Sequence, residues 1–239
     1  MTRLHVNIDH IATLRQARGV QYPDPLFGVP IVEMAGASGI TVHLREDRRH
    51  IVDRDVALIR QTISTIMNLE MAAAEEIVQI AVHTRPDMCT LVPEKREERT
   101  TEGGLAVAAD LPRMTGVVKT LHDAGIRVSL FIDPDEKEVR ASREAGADMI
   151  ELHTGDFCEA TTREQRIEEL EKLKHAATLG ASLGLKIAAG HGLHYHNVRE
   201  IADIPEVEEL NIGHSIIARA VFVGLEKAVI QMLEAMGEK

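Results

Sequence analysis

The stretch AAGHGLHYHN (188–197) sets three histidines, His191, His194 and His196, within six positions. A second stretch, HLREDRRH (43–50), gathers His43, Arg45, Arg48, Arg49 and His50, and TLRQAR (13–18) adds Arg15 and Arg18. Glu70 closes MNLE (67–70), while GHG (190–192) and IGHS (212–215) set glycines beside His191 and His214. Imidazoles and a partly dry carboxylate move protons near neutral pH. Arginines and glycine-exposed backbone N–H groups hold anions, most simply phosphate. A metal reading of the three histidines finds little support: the helical H-E-x-x-H spacing is absent, and the first strand offers no H-x-H pair. Cys89 and Cys158 make no metal or redox spacing either. His191 reads as an acid or base, and His194 and His196 as ordinary loop residues.

These groups must be positioned by a scaffold, and one unit recurs along the chain. A helical pattern ends in Ala-Gly and leads into a β-branched run: EMAGASGITVHL (33–44), HDAGIRVSLFI (122–132), EAGADMIEL (144–152) and, more loosely, ASLGLKIAAG (181–190). Glycine after the last helical turn supplies a left-handed cap, and the apolar run then forms a strand. Candidate strands fall near 3–8, 40–44, 66–70, 88–92, 127–132, 148–152, 186–190 and 208–212, with amphipathic stretches such as DRDVALIRQTIS (53–64) between them. Strands alternating with helices give an α/β fold with a parallel sheet, and eight of them predict a single (β/α)8 TIM barrel domain over 1–239. The alternative, a doubly wound open sheet, usually carries a glycine-rich nucleotide loop after its first strand, which NIDHIATLRQARG lacks.

Alternation within the strands assigns the faces. Leu4, Val6 and Ile8 oppose His5, Asn7 and Asp9; Ile40, Val42 and Leu44 oppose Thr41, His43 and Arg45; Met67 and Leu69 oppose Asn68 and Glu70. Ile150 and Leu152 oppose Glu151 and His153, Asp133 follows Ile132, and Asn211 alternates with Leu210 and Ile212. The apolar face packs under helices, so the polar face points into the barrel, where charges must pair or meet ligand. Barrel enzymes place their chemistry at the C-terminal strand ends, where these residues cluster. His5 and Asn68 also fit as satisfied residues deeper in the barrel. At that face Arg45 and Arg18 are the first candidates as anion holders, with Gly192, Gly213 and His214 as phosphate contacts. Arg48 and Arg49 fit a solvated loop paired with Glu46 and Asp47.

The bulk numbers exclude other classes. The 239 residues carry 27 Lys+Arg against 38 Asp+Glu, a net charge of −11, which opposes nucleic acid and anionic membranes. Aromatics are 3% and Trp is absent, which disfavours base-stacking platforms. No apolar run approaches the roughly 18 residues of a membrane span, and MTRLHVNIDH has no signal-peptide core. A cytoplasmic protein is expected.

The segments VNIDHIATLRQARG, GITVHLREDRRHI, MNLEMA, LVPEKREERTTEGG, AAGHGLHYHNV and ELNIGHSII, in this order, resemble the pyridoxine 5′-phosphate synthase family from end to end. The resemblance implies condensation of 1-deoxy-D-xylulose 5-phosphate with 3-amino-2-oxopropyl phosphate, giving pyridoxine 5′-phosphate, inorganic phosphate and water. It implies proton transfer by His43, Glu70 and His191. Contacts to the amino-ketone phosphate would come from Asn7, Arg18, Gly192 and the Gly213–His214 pair. Contacts to the deoxyxylulose phosphate would come from Asp9, His10, Arg45, His50 and Thr100. It further implies no metal or organic cofactor, small phosphorylated substrates, and a homo-octamer built from dimers. Helices would be added to the basic barrel, with the 161–184 segment a candidate for one addition. The polar loop 93–104, with Gly103 and Gly104 as hinges, is expected to act as a lid carrying Thr100. Two other readings stand beside this one: a sugar-phosphate isomerase or epimerase on the same barrel, and a non-catalytic phosphometabolite-binding protein. A structural scaffold would leave the polar lining unexplained.

Overall fold

The computed structural model describes residues 2–94 and 103–237. Eight strands, β1 (Arg3–Asn7), β2 (Gly39–His43), β3 (Ile66–Met71), β4 (Met88–Leu91), β5 (Arg127–Ile132), β6 (Met149–His153), β7 (Lys186–Gly190) and β8 (Val207–Ile212), pair in order into a closed barrel. Every pairing is parallel, including β1 with β8. This is the (β/α)8 fold that the strand pattern predicts, and the doubly wound alternative falls away because the sheet has no open edge.

The helices follow the strands. After β1 come α1 (Asp9–Arg18) and α2 (Gly28–Met34), after β2 α3 (Asp53–Thr62), after β3 α4 (Glu75–Thr84) and after β4 α5 (Leu111–Asp123). Then come α6 (Glu136–Glu144) after β5, α7 (Gly155–Glu159) and α8 (Arg163–Ser182) after β6, α9 (Val198–Ala202) after β7, and α10 (His214–Val223) and α11 (Leu225–Met236) after β8. The additions to the basic plan therefore follow β1, β6 and β8. The 161–184 segment is not itself an addition: α8 is the regular crossover to β7, and the extra helix α7 precedes it. Local chemistry explains the boundaries. Asp135 caps α6 by accepting from the N–H groups of Lys137 at 2.8 Å and Glu138 at 3.3 Å, and Thr162 with Gln165 forms a capping box on α8. Gly125 and Gly146, in the Ala-Gly phrases, turn the chain with φ of 79° and 90°, a conformation that favours glycine.

The two faces of each strand divide as their alternation requires. Leu4, Val6, Ile40, Val42, Leu69, Leu130, Ile150, Leu152 and Leu210 are fully buried in one apolar layer with helix residues such as Val56, Ile59, Val118 and Leu121. The inner face is polar: His5, Thr41, Asn68, Thr90, Ser129, Glu151, Glu209 and Asn211 are all buried. Hydrogen bonds satisfy part of it, with Thr41 Oγ1 donating to Asn211 Oδ1 at 2.8 Å, Thr90 Oγ1 to Asn68 Oδ1 at 2.9 Å and Asn211 Nδ2 to Glu151 Oε2 at 2.9 Å. His5 belongs to the lower barrel, its Nε2 3.3 Å from Glu209 Oε2, and burial pushes its pKa down to about 3 and that of Glu209 up to about 7. Among the described residues, no helix is long and apolar enough to cross a membrane.

Candidate active site

Parallel register sets the first pair. His43 on β2 is the register partner of Glu70 on β3, so both side chains leave the inner face at the same height. His43 Nδ1 lies 3.9 Å from Glu70 Oε2. Asn7, at the tip of β1, donates through Nδ2 to Glu70 Oε2 at 3.4 Å and to Asp9 Oδ2 at 3.0 Å. The same side chain accepts the Asp9 N–H at 2.9 Å, which turns the chain from β1 into α1. Asp9 Oδ1 in turn accepts the backbone N–H of His43 at 2.9 Å. Asn7, Asp9, His43 and Glu70 thus form one connected cluster at the C-terminal end of the barrel.

Around it opens a cavity of about 580 Å³, lined on its other sides by His10, Arg45, His50, His191, Gly192, Gly213 and His214. Of the described residues predicted from sequence, one does not line it: Arg18 is exposed at the end of α1, away from the cavity. Thr100 lies outside the described residues, as does most of the 93–104 segment expected to act as a lid. Arg15, grouped with the anion holders by its position in the sequence, is structural. Its guanidinium grips Asp55 at 2.8 and 2.7 Å and the His50 carbonyl at 2.8 Å. Arg48 turns to Asp53 and Glu76 instead of pairing with the side chains of Glu46 or Asp47, whereas Arg49 does pair with Asp47 and also reaches the cavity wall. His194 lines the cavity too, and His196 is exposed.

Burial sets the proton affinities. It pushes Glu70 up to about 7, with the Asp9 charge adding to the rise and His43 and the Asn7 hydrogen bond opposing it. Burial works against a charged His43, but a hydrogen bond to Glu94 and the carboxylates of Glu70 and Asp9 outweigh it and hold His43 above its ordinary value. Burial, assisted by neighbouring His153, pushes His191 down to about 4. His10 and His50 are also held low, chiefly by burial. The cavity therefore contains an acid that titrates near neutrality beside an imidazole that favours its proton, and across from them an imidazole that does not.

Sequence reasoning missed Glu94, whose Oε1 lies 2.8 Å from His43 Nε2. It placed His153 and Glu151 on the inner face without giving either a task. Glu151 lies under the cavity, where burial and the nearby Glu70 and Glu209 push its pKa well above the usual carboxylate range. The alternation of ELH on β6 was the available signal for both.

Two features suit anionic ligands. Gly213 stands just before α10 and lines the cavity with His214 and Ser215, which sets the start of that ten-residue helix at the cavity wall. Ser215 Oγ donates to the Leu193 carbonyl at 2.8 Å and ties the loops after β7 and β8 together. Arg45 is buried on the opposite wall. Ligand atoms of Asp9, His43 and Glu70 lie within 4.8 Å of one another, a spacing that could hold a cation. Both Asp9 oxygens, however, already accept hydrogen bonds from His43 N and Asn7 Nδ2.

A parallel barrel whose C-terminal mouth gathers paired acid–base groups beside features suited to anions has the layout of an acid–base barrel enzyme. The particular family follows from comparison with known proteins: the chain matches the family described as "Pyridoxal phosphate biosynthesis protein PdxJ" over residues 4–238, and it belongs to that family. It is 60% identical to the pyridoxine 5′-phosphate synthase of Idiomarina loihiensis over 230 residues, covering 96% of this chain and 95% of that one. It is 58% identical to the pyridoxine 5′-phosphate synthase of Geobacter sulfurreducens over 234 residues, covering 98% of each. Solved structures share the fold at low identity. KGPDC from Streptococcus mutans matches with TM-score 0.66 at 14% identity, covering 99% of this chain and 97% of that one. The YdjI aldolase from Escherichia coli K12 matches with TM-score 0.62 at 13% identity, covering 99% and 92%.

Proposed function

We propose that this chain is a pyridoxine 5′-phosphate synthase. It condenses 1-deoxy-D-xylulose 5-phosphate with 3-amino-2-oxopropyl phosphate to give pyridoxine 5′-phosphate, inorganic phosphate and water. Family membership supports the reaction, and the register pairing of His43 with Glu70 beside a cavity of about 580 Å³ supports the assignment of its chemistry. An amine and a ketone condense to an imine by losing water, so a proton must reach the departing hydroxyl. A group titrating near 7 can accept and return that proton, which fits Glu70 with His43 as its partner. Loss of one phosphate, addition of water and closure of the ring then need a base at a carbon acid and an acid for the final dehydration. His191, neutral in the free cavity, serves ring closure or dehydration, and a bound phosphate dianion raises its proton affinity.

In this reading Asn7, Gly192, Gly213 and His214 hold the amino-ketone phosphate on the β7–β8 side. Asp9, His10, Arg45 and His50 hold the deoxyxylulose phosphate on the β1–β2 side. Asp9 acts mainly by ordering its neighbours, since its carboxylate is engaged by His43 N and Asn7. The chain works as one domain in the cytoplasm and assembles as a homo-octamer from dimers. The exposed Phe27, Met34, Val221 and Phe222 offer apolar surface for such contacts.

The deciding experiment incubates pure protein with both phosphates and follows inorganic phosphate together with the absorbance of a new pyridine ring. Ring and phosphate appearing in step, and only with both substrates, is the expected result. Turnover of a single sugar phosphate without phosphate release would instead identify an isomerase or epimerase. Binding of both phosphates without any product would identify a binding protein.

A further inference from the structure

His191 leaves β7 with a φ of 78°, in the left-handed region that side chains other than glycine rarely adopt. Its carbonyl is held in place by Thr154, whose Oγ1 donates to it at 2.5 Å and to the Gly190 carbonyl at 2.8 Å. Its ring has no such anchor. Glu94 orients the imidazole of His43, but among the described residues no hydrogen bond reaches either ring nitrogen of His191. What touches the ring is another imidazole. The His153 centroid lies 5.1 Å from that of His191 at an interplanar angle of 55°, and Phe131 completes the trio at 5.3 Å from His153 and 6.5 Å from His191. These are tilted and edge-on arrangements within the range that aromatic rings prefer.

His153 is buried and is the one ring of this trio that does not line the cavity. Its Nδ1 lies 3.0 Å from Asp133 Oδ1, and that bond requires the proton on Nδ1 because a carboxylate only accepts. Asp133 also accepts the Gly104 N–H at 2.9 Å, so the carboxylate is itself fixed. We propose that His153, anchored by Asp133, is a positioning residue that orients the His191 imidazole for ring formation. The proposal rests on the catalytic reading of His191 given above. A buried space-filling residue would need neither the Asp133 anchor nor a polar ring. The titratable groups of this corner include Asp133 after β5, His153 and Glu151 on β6, Cys158 on α7 and His194 in the same loop as His191, and of these His153 is the one whose ring packs against that of His191. The proximity of His153 adds to burial in keeping His191 unprotonated.

The test is His153→Phe, which keeps an aromatic ring and removes the anchor. Expected are a fall in kcat of about 10- to 100-fold with KM for both phosphates nearly unchanged, and a higher titration midpoint for the His191 ring nitrogens by ¹H–¹⁵N NMR. A kcat within about twofold of wild type together with an unchanged His191 titration would overturn the proposal, as would a loss carried by KM alone. Should His153→Phe fail to fold, Asp133→Ala, at a half-exposed side chain, removes the same anchor and is read by the same two measurements. If the wild-type protein forms no pyridine ring, the functional reading falls, and the NMR titration still decides whether His153 governs His191.

Discussion

Glu94 grips both the side chain of His43 and the loop beside it: Oε1 lies 2.8 Å from His43 Nε2, and Oε2 accepts the Glu46 N–H at 3.0 Å. A carboxylate fixed at both oxygens sets the ring plane of His43 and turns its Nδ1 toward Glu70. Because His43 is held above its ordinary value, its pairing contributes stability below the unfolded value of 6.5 that disappears as pH rises through the folded one. Glu94→Gln keeps the hydrogen bond and removes the charge. We expect the His43 midpoint to fall, visible in ring ¹⁵N shifts, and kcat to drop by about tenfold.

Glu70 shows the opposite balance, an acid that keeps its proton. With its pKa pushed up to about 7, the folded chain holds a proton that the unfolded chain has already released. Its contribution is complete below the ordinary value of 4.5 and is lost as pH rises from there through about 7. Glu70→Gln does not titrate, so its Tm relative to wild type should be higher at pH 8 than at pH 5, at about 2–4 °C per kcal/mol. Turnover should fall by about 10²- to 10⁴-fold. Near-normal turnover with both substrates would remove Glu70 from the mechanism.

Gly213 is where backbone crowding meets function. A Cβ there would lie 2.9 Å from Asn7 Cβ and 3.1 Å from the Asn7 carbonyl, and the β1 backbone cannot yield cheaply. Gly213→Ala should therefore displace Asn7 from Glu70 and distort the start of α10. A stability loss of about 1–3 kcal/mol and weaker inorganic phosphate binding are expected, by thermal melting and calorimetry. Unchanged phosphate affinity would take the α10 start out of the anion site.

Arg15 and Asp55 form a buried bidentate pair that also carries the His50 carbonyl. Arg15→Met removes the bidentate partner of the buried Asp55, leaving it only Arg54 Nη1 at 3.3 Å and the Val52 N–H at 3.0 Å, and should cost about 3–5 kcal/mol. The double variant Arg15→Met/Asp55→Leu should recover much of that loss in a melting experiment, since no charge then remains buried. Equal melting of the two variants would show that the pair contributes little through charge.

Local pattern made much of this legible. Period-two alternation put His43, Glu70, Glu151 and Asn211 on the inner face, because strand geometry leaves no other choice once the apolar face is buried. It favoured Arg18 over Arg15 as an anion holder, but both follow β1, and only folding shows that Arg15 meets Asp55 while Arg18 is exposed. Glu94 stayed hidden because its partner His43 is far away in the chain and reaches it only when β2 and β4 are brought around the same mouth. His153 was visible as inward-facing, but its use depends on rings contributed by β5 and the β7 loop. The 161–184 segment reads as a candidate for one added helix because α8 is long enough to resemble an insertion, while it is the ordinary crossover.

The raised proton affinities of Glu70 and Glu151 have a consequence for how ligands arrive. The chain as a whole carries a formal charge of −11. Among the described residues of the mouth, Arg45, Arg49 and His43 stand against Asp9, Asp47 and Glu94, while burial strengthens the hold of Glu151 on its proton and leaves Glu70, pushed up to about 7, only partly ionised near neutrality. A phosphate ester diffusing inward is thus repelled at long range and meets a balanced entrance at short range. Added electrolyte screens distant charges first, so capture should quicken as ionic strength rises from very low values, contrary to the usual behaviour of a basic anion-binding site.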